Sequence, residues 1–296
     1  MNLNQENNYL SSLSVLFNII NMIKNNRRDF LTKAVAIGTV AVLPFSGMSE
    51  EPEQKVATNE LPSLKGRKIL FTYGGWPGHE PEKFRDYMVP WLKEEGAEVL
   101  AHSTLDPYAD KTIMDSIDLV MQIFTMSQIT KEQEKGLLDS IEKNGTGMAG
   151  WHGGMGDAFR NNPDYQFMVG GQWVAHPGGV TDYKVNITDH KDEVTKGLKD
   201  FAIHSEQYYM HVDPNVKVLA TTKFNGAVDS WINGCVMPVT WKKMYGKGRV
   251  FYTSVGHAVD HLTKVPEAIE MLKRGIKWAS ASKYIPAEKW VSPVYG

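Results

Sequence analysis

Residues 147–154 read GMAGWHGG, and this segment decides the fold that the sequence predicts. Its first five residues form a short apolar run, which is typical of a buried strand. Small residues then surround His152 at the point where the chain must turn sharply. This is the steric pattern of a nucleophile elbow, a strand-to-helix turn that exposes one side chain at the edge of an α/β sheet. Because position 152 holds histidine, the pattern predicts an exposed imidazole and excludes acyl transfer by a serine or cysteine there.

The chain before this elbow alternates between strand-like and helix-like patterns. Apolar runs predict strands at 68–73, 97–101 and 118–124, and helical patterns cover 81–95 and 130–142. The second helix opens with a capping box, in which a threonine is followed three residues later by a glutamine. Such alternation with short connections predicts a doubly wound, mainly parallel sheet with helices on both faces.

The chain after the elbow is richer in β structure. Strands are predicted at 182–187, 203–211 and 216–221, followed by a hairpin over 236–253 and a closing helix at 265–279. We therefore predict one α/β domain over 67–281, more β-rich in its C-terminal half, followed by a tail at 282–296.

The N-terminal residues have the pattern of an export signal. Arg27 and Arg28 precede an apolar run over 34–45, and paired arginines at this place resemble the twin-arginine address. The predicted signal covers 1–48, with Met22 as an alternative true start, and a polar linker follows at 49–66. The apolar run is shorter than the roughly 20 residues that a membrane span needs. The sequence thus predicts a periplasmic protein with no stable membrane insertion after the signal is removed.

Composition excludes several classes of function. The 32 basic and 34 acidic side chains give a net charge of −2, so no basic excess is present to bind nucleic acid. The single cysteine, Cys235, excludes an intramolecular disulfide and a cysteine-rich zinc module. The sequence contains no nucleotide-binding motif.

Four groups of residues contain histidine, and three of them also contain glycines; they lie at the ends of predicted strands or within one, at 74–80, 150–154, 204–211 and 254–257. In doubly wound sheets, ligands bind at the carboxyl ends of the strands, so these groups predict one site. The predicted catalytic residues are Glu206, His152 and His79, because they can move protons. Glu206 lies in an apolar, aromatic run, where an unpaired carboxylate is costly.

A second set of residues is predicted to contact the substrate. It combines two histidines with aromatic side chains that can stack on a sugar ring, and comprises His257, Tyr208, Trp76, Trp151 and His176. Each of these side chains has an alternative structural role in the core or in a turn. Four side chains also have the ligand chemistry for a divalent metal, namely His79, His152, His257 and Glu206. They form no local spacing motif, so the sequence leaves the cofactor open.

At these residues the chain resembles the ThuA-like, or trehalose-utilisation, family of the class I glutamine amidotransferase-like superfamily. The matching segments are Lys68–His79, Gly145–Gly154, Ser205–Tyr208 and Pro238–His257. The resemblance implies a flavodoxin-like α/β sandwich in which the elbow histidine replaces the amidotransferase cysteine. It also implies that amidotransferase activity is absent, and His257 is followed by Ala258-Val259 rather than by a histidine-x-glutamate pair.

The resemblance associates the chain with trehalose and related disaccharides and with 3-keto sugars. The resulting hypothesis is an acid–base enzyme acting on a 3-keto glucoside or disaccharide, such as a keto-sugar isomerase. A metal-dependent form of the same enzyme stays open. The alternative is a non-catalytic carbohydrate-binding protein, to which the aromatic residues are suited and for which the proton-transfer residues are surplus.

Overall fold

The computed structural model describes residues 61–289. These residues form a nine-stranded sheet with helices packed against it. The predicted signal at 1–48 lies outside the described residues. The strands in chain order, including two that form a separate ribbon, are β1 (Lys68–Gly75), β2 (Glu98–His102), β3 (Leu119–Thr125), β4 (Gly147–Trp151), β5 (Gly171–Ala175), β6 (Val180–Ile187), β7 (Phe201–Glu206), β8 (Tyr209–Val212), β9 (Lys217–Lys223), β10 (Val236–Tyr245) and β11 (Gly248–Thr253).

Seven α-helices connect or cover these strands within residues 61–289. They are α1 (Pro81–Glu94), α2 (Lys111–Ser116), α3 (Lys131–Glu142), α4 (His152–Gly156), α5 (Pro163–Val169), α6 (Val259–Thr263) and α7 (Pro266–Ser280). The predicted capping box is confirmed at the start of α3, where Thr130 and Gln133 satisfy each other's backbone N–H groups. None of the helices in this described region is long and apolar enough to cross a membrane.

The sheet has two halves with different pairing. Its strand order is β2-β1-β3-β4-β11-β10-β9-β6-β7. The first five strands are parallel and form what we call the parallel half. The last four pair antiparallel, beginning with the hairpin of β11 and β10, and form the antiparallel half. Strands β5 and β8 pair only with each other, and we call them the ribbon.

The predicted α/β fold is confirmed, including the β-rich C-terminal half. Alternating residues of β1 enter different apolar clusters, with Phe71 on the face covered by α1 and Leu70 on the other. One predicted strand is wrong: 203–211 divides at 207–208 into β7 of the main sheet and β8 of the ribbon. The prediction also missed β5, whose residues Gly171–Ala175 show no clean alternation of buried and exposed positions.

The antiparallel half buries an ion cluster. The Lys242 side chain is 1% exposed, and its Nζ lies 2.8 Å from Asp192 and 3.0 Å from Glu193. The Nζ of Lys217 lies 2.7 Å from the same Asp192 carboxylate. Burial alone would raise the pKa of Asp192, but the two lysines outweigh it and hold that pKa below its usual range. This half of the sheet therefore depends on paired charges inside its packing.

Candidate functional site

Four predicted site residues meet at one edge of the sheet. His79, His152 and His257 follow β1, β4 and β11 of the parallel half, and Glu206 is the last residue of β7 in the antiparallel half. One ligand atom from each lies within 4.8 Å of the others. We call these four residues the donor cluster. Residues separated by 178 positions along the chain are thus brought together because the carboxyl ends of neighbouring parallel strands share an edge.

The predicted elbow is present, but its imidazole is not exposed as predicted, because His152 is 1% exposed. His152 begins α4 directly after β4 and has a φ of 48°, a left-handed conformation that is uncommon for residues other than glycine. The hydroxyl of Tyr252 donates a hydrogen bond to the backbone oxygen of His152 at 3.0 Å, which helps to hold this turn. Gly153 is required because a Cβ there would lie 2.3 Å from Cε1 of His79 and 3.0 Å from the hydroxyl of Tyr208.

Both hydrogen-bond partners of the His152 ring are acceptors. Its Nδ1 lies 2.7 Å from the backbone oxygen of Ser254, and a carbonyl oxygen can only accept, so Nδ1 carries a proton. Its Nε2 lies 3.1 Å from Oε2 of Glu206. A neutral imidazole has only one N–H, so its Nε2 then presents a lone pair to the carboxylate.

The other two imidazoles approach the same carboxylate oxygen. Nδ1 of His79 is 2.8 Å from the hydroxyl of Thr125, and its Nε2 is 3.9 Å from Oε2 of Glu206. Nδ1 of His257 is 3.2 Å from that oxygen but lacks the alignment of a hydrogen bond. The nitrogens of the three rings therefore surround Oε2 of Glu206.

Three members of the donor cluster, His152, His79 and Glu206, have pKa values below their usual range. Burial lowers the pKa of His152 to about 3, and burial also lowers the pKa of His79. Burial alone would raise the pKa of Glu206, but contacts with the imidazoles of His152, His257 and His79 outweigh it and hold this pKa below its usual range. Near neutral pH the cluster thus contains a carboxylate anion together with neutral imidazoles at positions 79 and 152.

The cluster opens into a cavity of about 180 Å³. Besides His79 and Glu206, the cavity is lined by Trp76, Met126, Asp157, Arg160, Trp173, His176 and Tyr208. The ring of Tyr208 stacks on His152 with 4.0 Å between centroids, and Trp76 meets His79 edge-on at 4.7 Å. The structure therefore brings Tyr208, Trp76 and His176, which the sequence suggested as substrate contacts, to the same cavity.

The substrate-contact prediction for Trp151 needs correction. Its side chain is completely buried and packs against Phe71 and Phe84 in the apolar core, with ring centroids 6.2 and 5.1 Å away. The alternation of side chains along β4 explains this, since consecutive residues point to opposite faces of a sheet. Trp151 thus packs in the core directly before the elbow and does not line the cavity.

Four residues that line the cavity were not predicted from the sequence. Asp157 and Arg160 follow α4, Trp173 lies on β5 of the ribbon, and Met126 follows β3. The signal for the first two was present, because opposite charges three residues apart directly after an elbow are suited to pair at its rim. Trp173 had no such signal, since β5 itself was not predicted.

The chain belongs to the ThuA family. The family model described as "Trehalose utilisation" matches residues 68–279, which is most of the described domain. A search of the curated proteins finds no match.

Solved structures with a similar fold include two proteins described as ThuA-like. The one from Bacteroides uniformis has a TM-score of 0.61 and 16% identity, and the match covers 77% of this chain and 96% of that one. The one from Parabacteroides merdae has a TM-score of 0.59 and 19% identity, and the match covers 76% and 93% of the two chains. At these identities the likeness concerns the fold.

Proposed function

We propose that this protein is a metal-assisted proton-transfer enzyme of sugar metabolism. Its substrate would be a keto sugar, such as a 3-keto glucoside or disaccharide, and its reaction a keto-sugar isomerisation. The family's description, trehalose utilisation, supports a sugar as the substrate. The elbow carries histidine instead of a serine or cysteine nucleophile, which supports proton transfer over acyl transfer.

The main support for a bound metal is the contact between His152 and Glu206, in which two acceptor atoms face each other. With Nδ1 of His152 donating to Ser254, a lone pair on Nε2 faces an anionic oxygen at 3.1 Å. Two acceptors at that distance repel each other unless a proton or a metal ion lies between them, and a metal ion lets both atoms act as ligands through their lone pairs. Metal-ligating histidines commonly donate their other N–H to a backbone carbonyl, as His152 does.

The distances in the donor cluster suit a small divalent ion. Ligand atoms bound at about 2.0–2.1 Å to a tetrahedral ion lie about 3.3 Å from one another. The distances from Oε2 of Glu206 to His152, His257 and His79 are 3.1, 3.2 and 3.9 Å. Three imidazoles with one carboxylate favour zinc or another first-row transition metal over magnesium or calcium, which prefer oxygen ligands.

The metal ligands and the other cavity residues would have different roles in the reaction. A bound metal would supply Lewis acidity that stabilises negative charge on the substrate oxygen. Glu206, whose pKa is held low, is a weak base and serves better as a ligand than as the proton acceptor. His176 lines the cavity outside the donor cluster, with Nε2 3.9 Å from Oε1 of Glu206, and would carry the proton between adjacent substrate carbons. Burial raises the pKa of Tyr208 far above 10, so this hydroxyl stays protonated as a donor.

The test combines metal analysis with product analysis. We expect the purified protein to contain about one equivalent of a divalent transition metal and to convert 3-keto-glucose or 3-keto-trehalose to an isomer visible by NMR. Glu206→Gln should lower metal content and turnover together, whereas His211→Gln, on the exposed outer side of the ribbon, should change neither.

Two outcomes would contradict this proposal. Full activity of metal-free protein would show that the reaction needs no metal. Glu206 would then be the candidate base. Sugar binding without conversion of any keto sugar, unaffected by Glu206→Gln, would instead identify a carbohydrate-binding protein.

We also propose export to the periplasm, which is supported by the twin-arginine pattern alone. Replacing Arg27 and Arg28 together by lysine should retain the protein in the cytoplasm, as seen by immunoblotting of cell fractions. This change keeps both positive charges, so the matched control is Lys24→Arg, which exchanges the same two side-chain types outside the arginine pair. Unchanged periplasmic recovery of the double variant would contradict the proposal.

A further inference from the structure

A charged and aromatic surface forms another part of the cavity wall, beside the donor cluster. It consists of Asp157, Arg160 and Trp173, and we call it the Arg160 wall. Asp157 caps the C-terminus of α4, and its backbone oxygen accepts from Met126 at 2.9 Å, so it is fixed to the loop after β3 as well. The wall therefore rests on the same elbow that positions His152.

Arg160 is held in one plane by two neighbours. Its Nε lies 2.6 Å from Oδ1 of Asp157, and its Nη2 lies 2.8 Å from Oδ2, which is a two-point pair. Its guanidinium carbon lies 4.6 Å from the centroid of the Trp173 ring. Of the two partners, Asp157 is buried, with 4% of its side chain exposed, whereas 45% of the Arg160 side chain remains exposed.

This pairing decides what the guanidinium can bind. Arginine recognises phosphate and carboxylate through two parallel N–H groups, and Asp157 already occupies that edge of Arg160. The remaining N–H groups of Arg160, on Nη1 and the outer side of Nη2, have no partner in the described residues, but Asp157 already compensates the charge of the guanidinium. An anionic group placed here would also lie near the Asp157 carboxylate and would be repelled.

The rest of the wall suits a neutral ring that carries hydroxyl groups. Trp173 offers an aromatic face, and its buried Nε1 has no hydrogen-bond partner among the described residues. The cavity of about 180 Å³ is smaller than the pockets of about 300–1,000 Å³ that hold drug-sized ligands, so it has room for one small ring. Hydroxyl groups can accept from the free N–H groups of Arg160 without requiring charge compensation.

We propose that the Arg160 wall is a binding subsite for one neutral, hydroxyl-bearing sugar ring, and that Asp157 disfavours phosphorylated and acidic sugars because it compensates the charge of Arg160 and occupies one of its two-point edges. The proposal rests on the proposed function for the class of ligand, a sugar. It assigns a selectivity role to residues that take no part in the donor cluster.

The experiment measures binding rather than turnover. Methyl α-D-glucopyranoside, D-glucuronate and D-glucose 6-phosphate are titrated into the full chain as purified, by calorimetry and by ligand-observed saturation-transfer NMR. We expect the neutral glucoside to bind at least about tenfold more tightly than either anion. Asp157→Asn should free the guanidinium and reduce that ratio at least about tenfold, mainly by strengthening the anions.

A second variant guards against a folding defect in the first. Arg160→Lys keeps the charge but cannot form the two-point pair, so it should also narrow the preference for the neutral ligand. Asp164→Asn, an exposed acid on α5, is the matched control and should leave the ratio unchanged. Equal binding of neutral and anionic sugars, no binding of any of the three, or an unchanged ratio in both variants would overturn the subsite.

The proposed isomerase activity and the proposed sugar subsite can be contradicted independently of each other. If no keto sugar is converted while the neutral glucoside keeps its Asp157-dependent preference, the isomerase is wrong and the subsite stands. If keto sugars are converted and the ratio does not respond to Asp157 and Arg160, the subsite is wrong and the enzyme stands.

Discussion

The two halves of the sheet contribute different chemistry to the donor cluster. The parallel half supplies three imidazoles, each a short distance after the end of a strand, and its core around β1 and β4 is apolar. The antiparallel half supplies the one carboxylate, Glu206, and buries the Lys242 ion cluster in its own packing. The comparison indicates that a parallel α/β edge can present neutral ligands, while the charge that completes the site comes from the strands added beside it.

The largest effect is expected from breaking the ion cluster of the antiparallel half. Asp192→Asn leaves Lys217 without its nearer partner and Lys242 with Glu193 alone. Uncompensated buried charge costs about 3–5 kcal/mol, so we expect a loss of about 3 kcal/mol in the free energy of unfolding, measured with urea. Asp139→Asn, in an exposed pair on α3, should change stability by less than about 1 kcal/mol. Equal losses in both variants would contradict the contrast between the halves.

Lowering the pH should reduce the stability of the fold, because the buried imidazoles of the parallel half resist protonation. The pKa of His152 is about 3 in the folded protein, against about 6.5 when unfolded, so the unfolded chain binds more protons between these values. Stability is then complete above about pH 6.5 and falls as the pH decreases toward 3. The lowered pKa values of His79 and Glu206 act in the same direction.

We expect the slope from His152 alone to be about 1 kcal/mol per pH unit, measured by denaturation of metal-free protein across this range. His152→Gln should reduce the slope, and His211→Gln should not. A slope identical in all three proteins would show that the buried imidazole does not drive acid sensitivity.

A methyl group at the junction of the halves should disturb the site more than the fold. Gly153→Ala would force the new Cβ against His79 of the parallel half and Tyr208 of the chain between β7 and β8. Overpacking of this kind costs about 1–3 kcal/mol. We expect metal affinity to fall about tenfold or more, as measured by competition with a chelating dye.

Gly154→Ala is the matched control for this substitution, because its Cβ would meet Ile123 of β3 instead of a site residue. It should lower stability by a comparable amount with a smaller loss of metal affinity. Wild-type metal affinity in Gly153→Ala would show that the glycine is not needed to seat His79.

The smallest effect is expected at the capping box of the parallel half. Thr130→Ala removes the acceptor for the Gln133 N–H and should cost about 1 kcal/mol in the free energy of unfolding. Activity and metal content should not change, because α3 holds no member of the donor cluster. A loss of metal in this variant would mean that the parallel half is less rigid than its apolar core suggests.

The parallel half could be predicted from sequence because its signals are local. The apolar runs of β1, β3 and β4 and the Gly-rich turn at His152 each identify an element within about ten residues. The shared edge of parallel strands then predicts that the following loops meet, which is how His79 and His152 could be assigned to one site.

The antiparallel half was harder because its boundaries depend on contacts distant in sequence. Nothing within 203–211 marks the point where the chain leaves the main sheet for the ribbon. Trp151 was misplaced for a related reason, since aromatic character does not say which face of β4 a residue occupies. The Arg160 wall required the ribbon to be known before Trp173 could be placed near Asp157.

The break between β7 and β8 at 207–208 fixes the position of Glu206 at the end of its strand. Glu206 is the final residue of β7 and points into the cavity, while its neighbour Gln207 donates to the Thr222 hydroxyl at 2.7 Å. Successive residues of a strand face opposite sides, so an insertion or deletion of one residue within β7 would exchange these two positions. Because no other carboxylate adjoins Glu206 in this strand, such a slip would leave the three imidazoles facing an amide or a serine hydroxyl. The length of β7 is therefore as tightly constrained as the identity of its last residue.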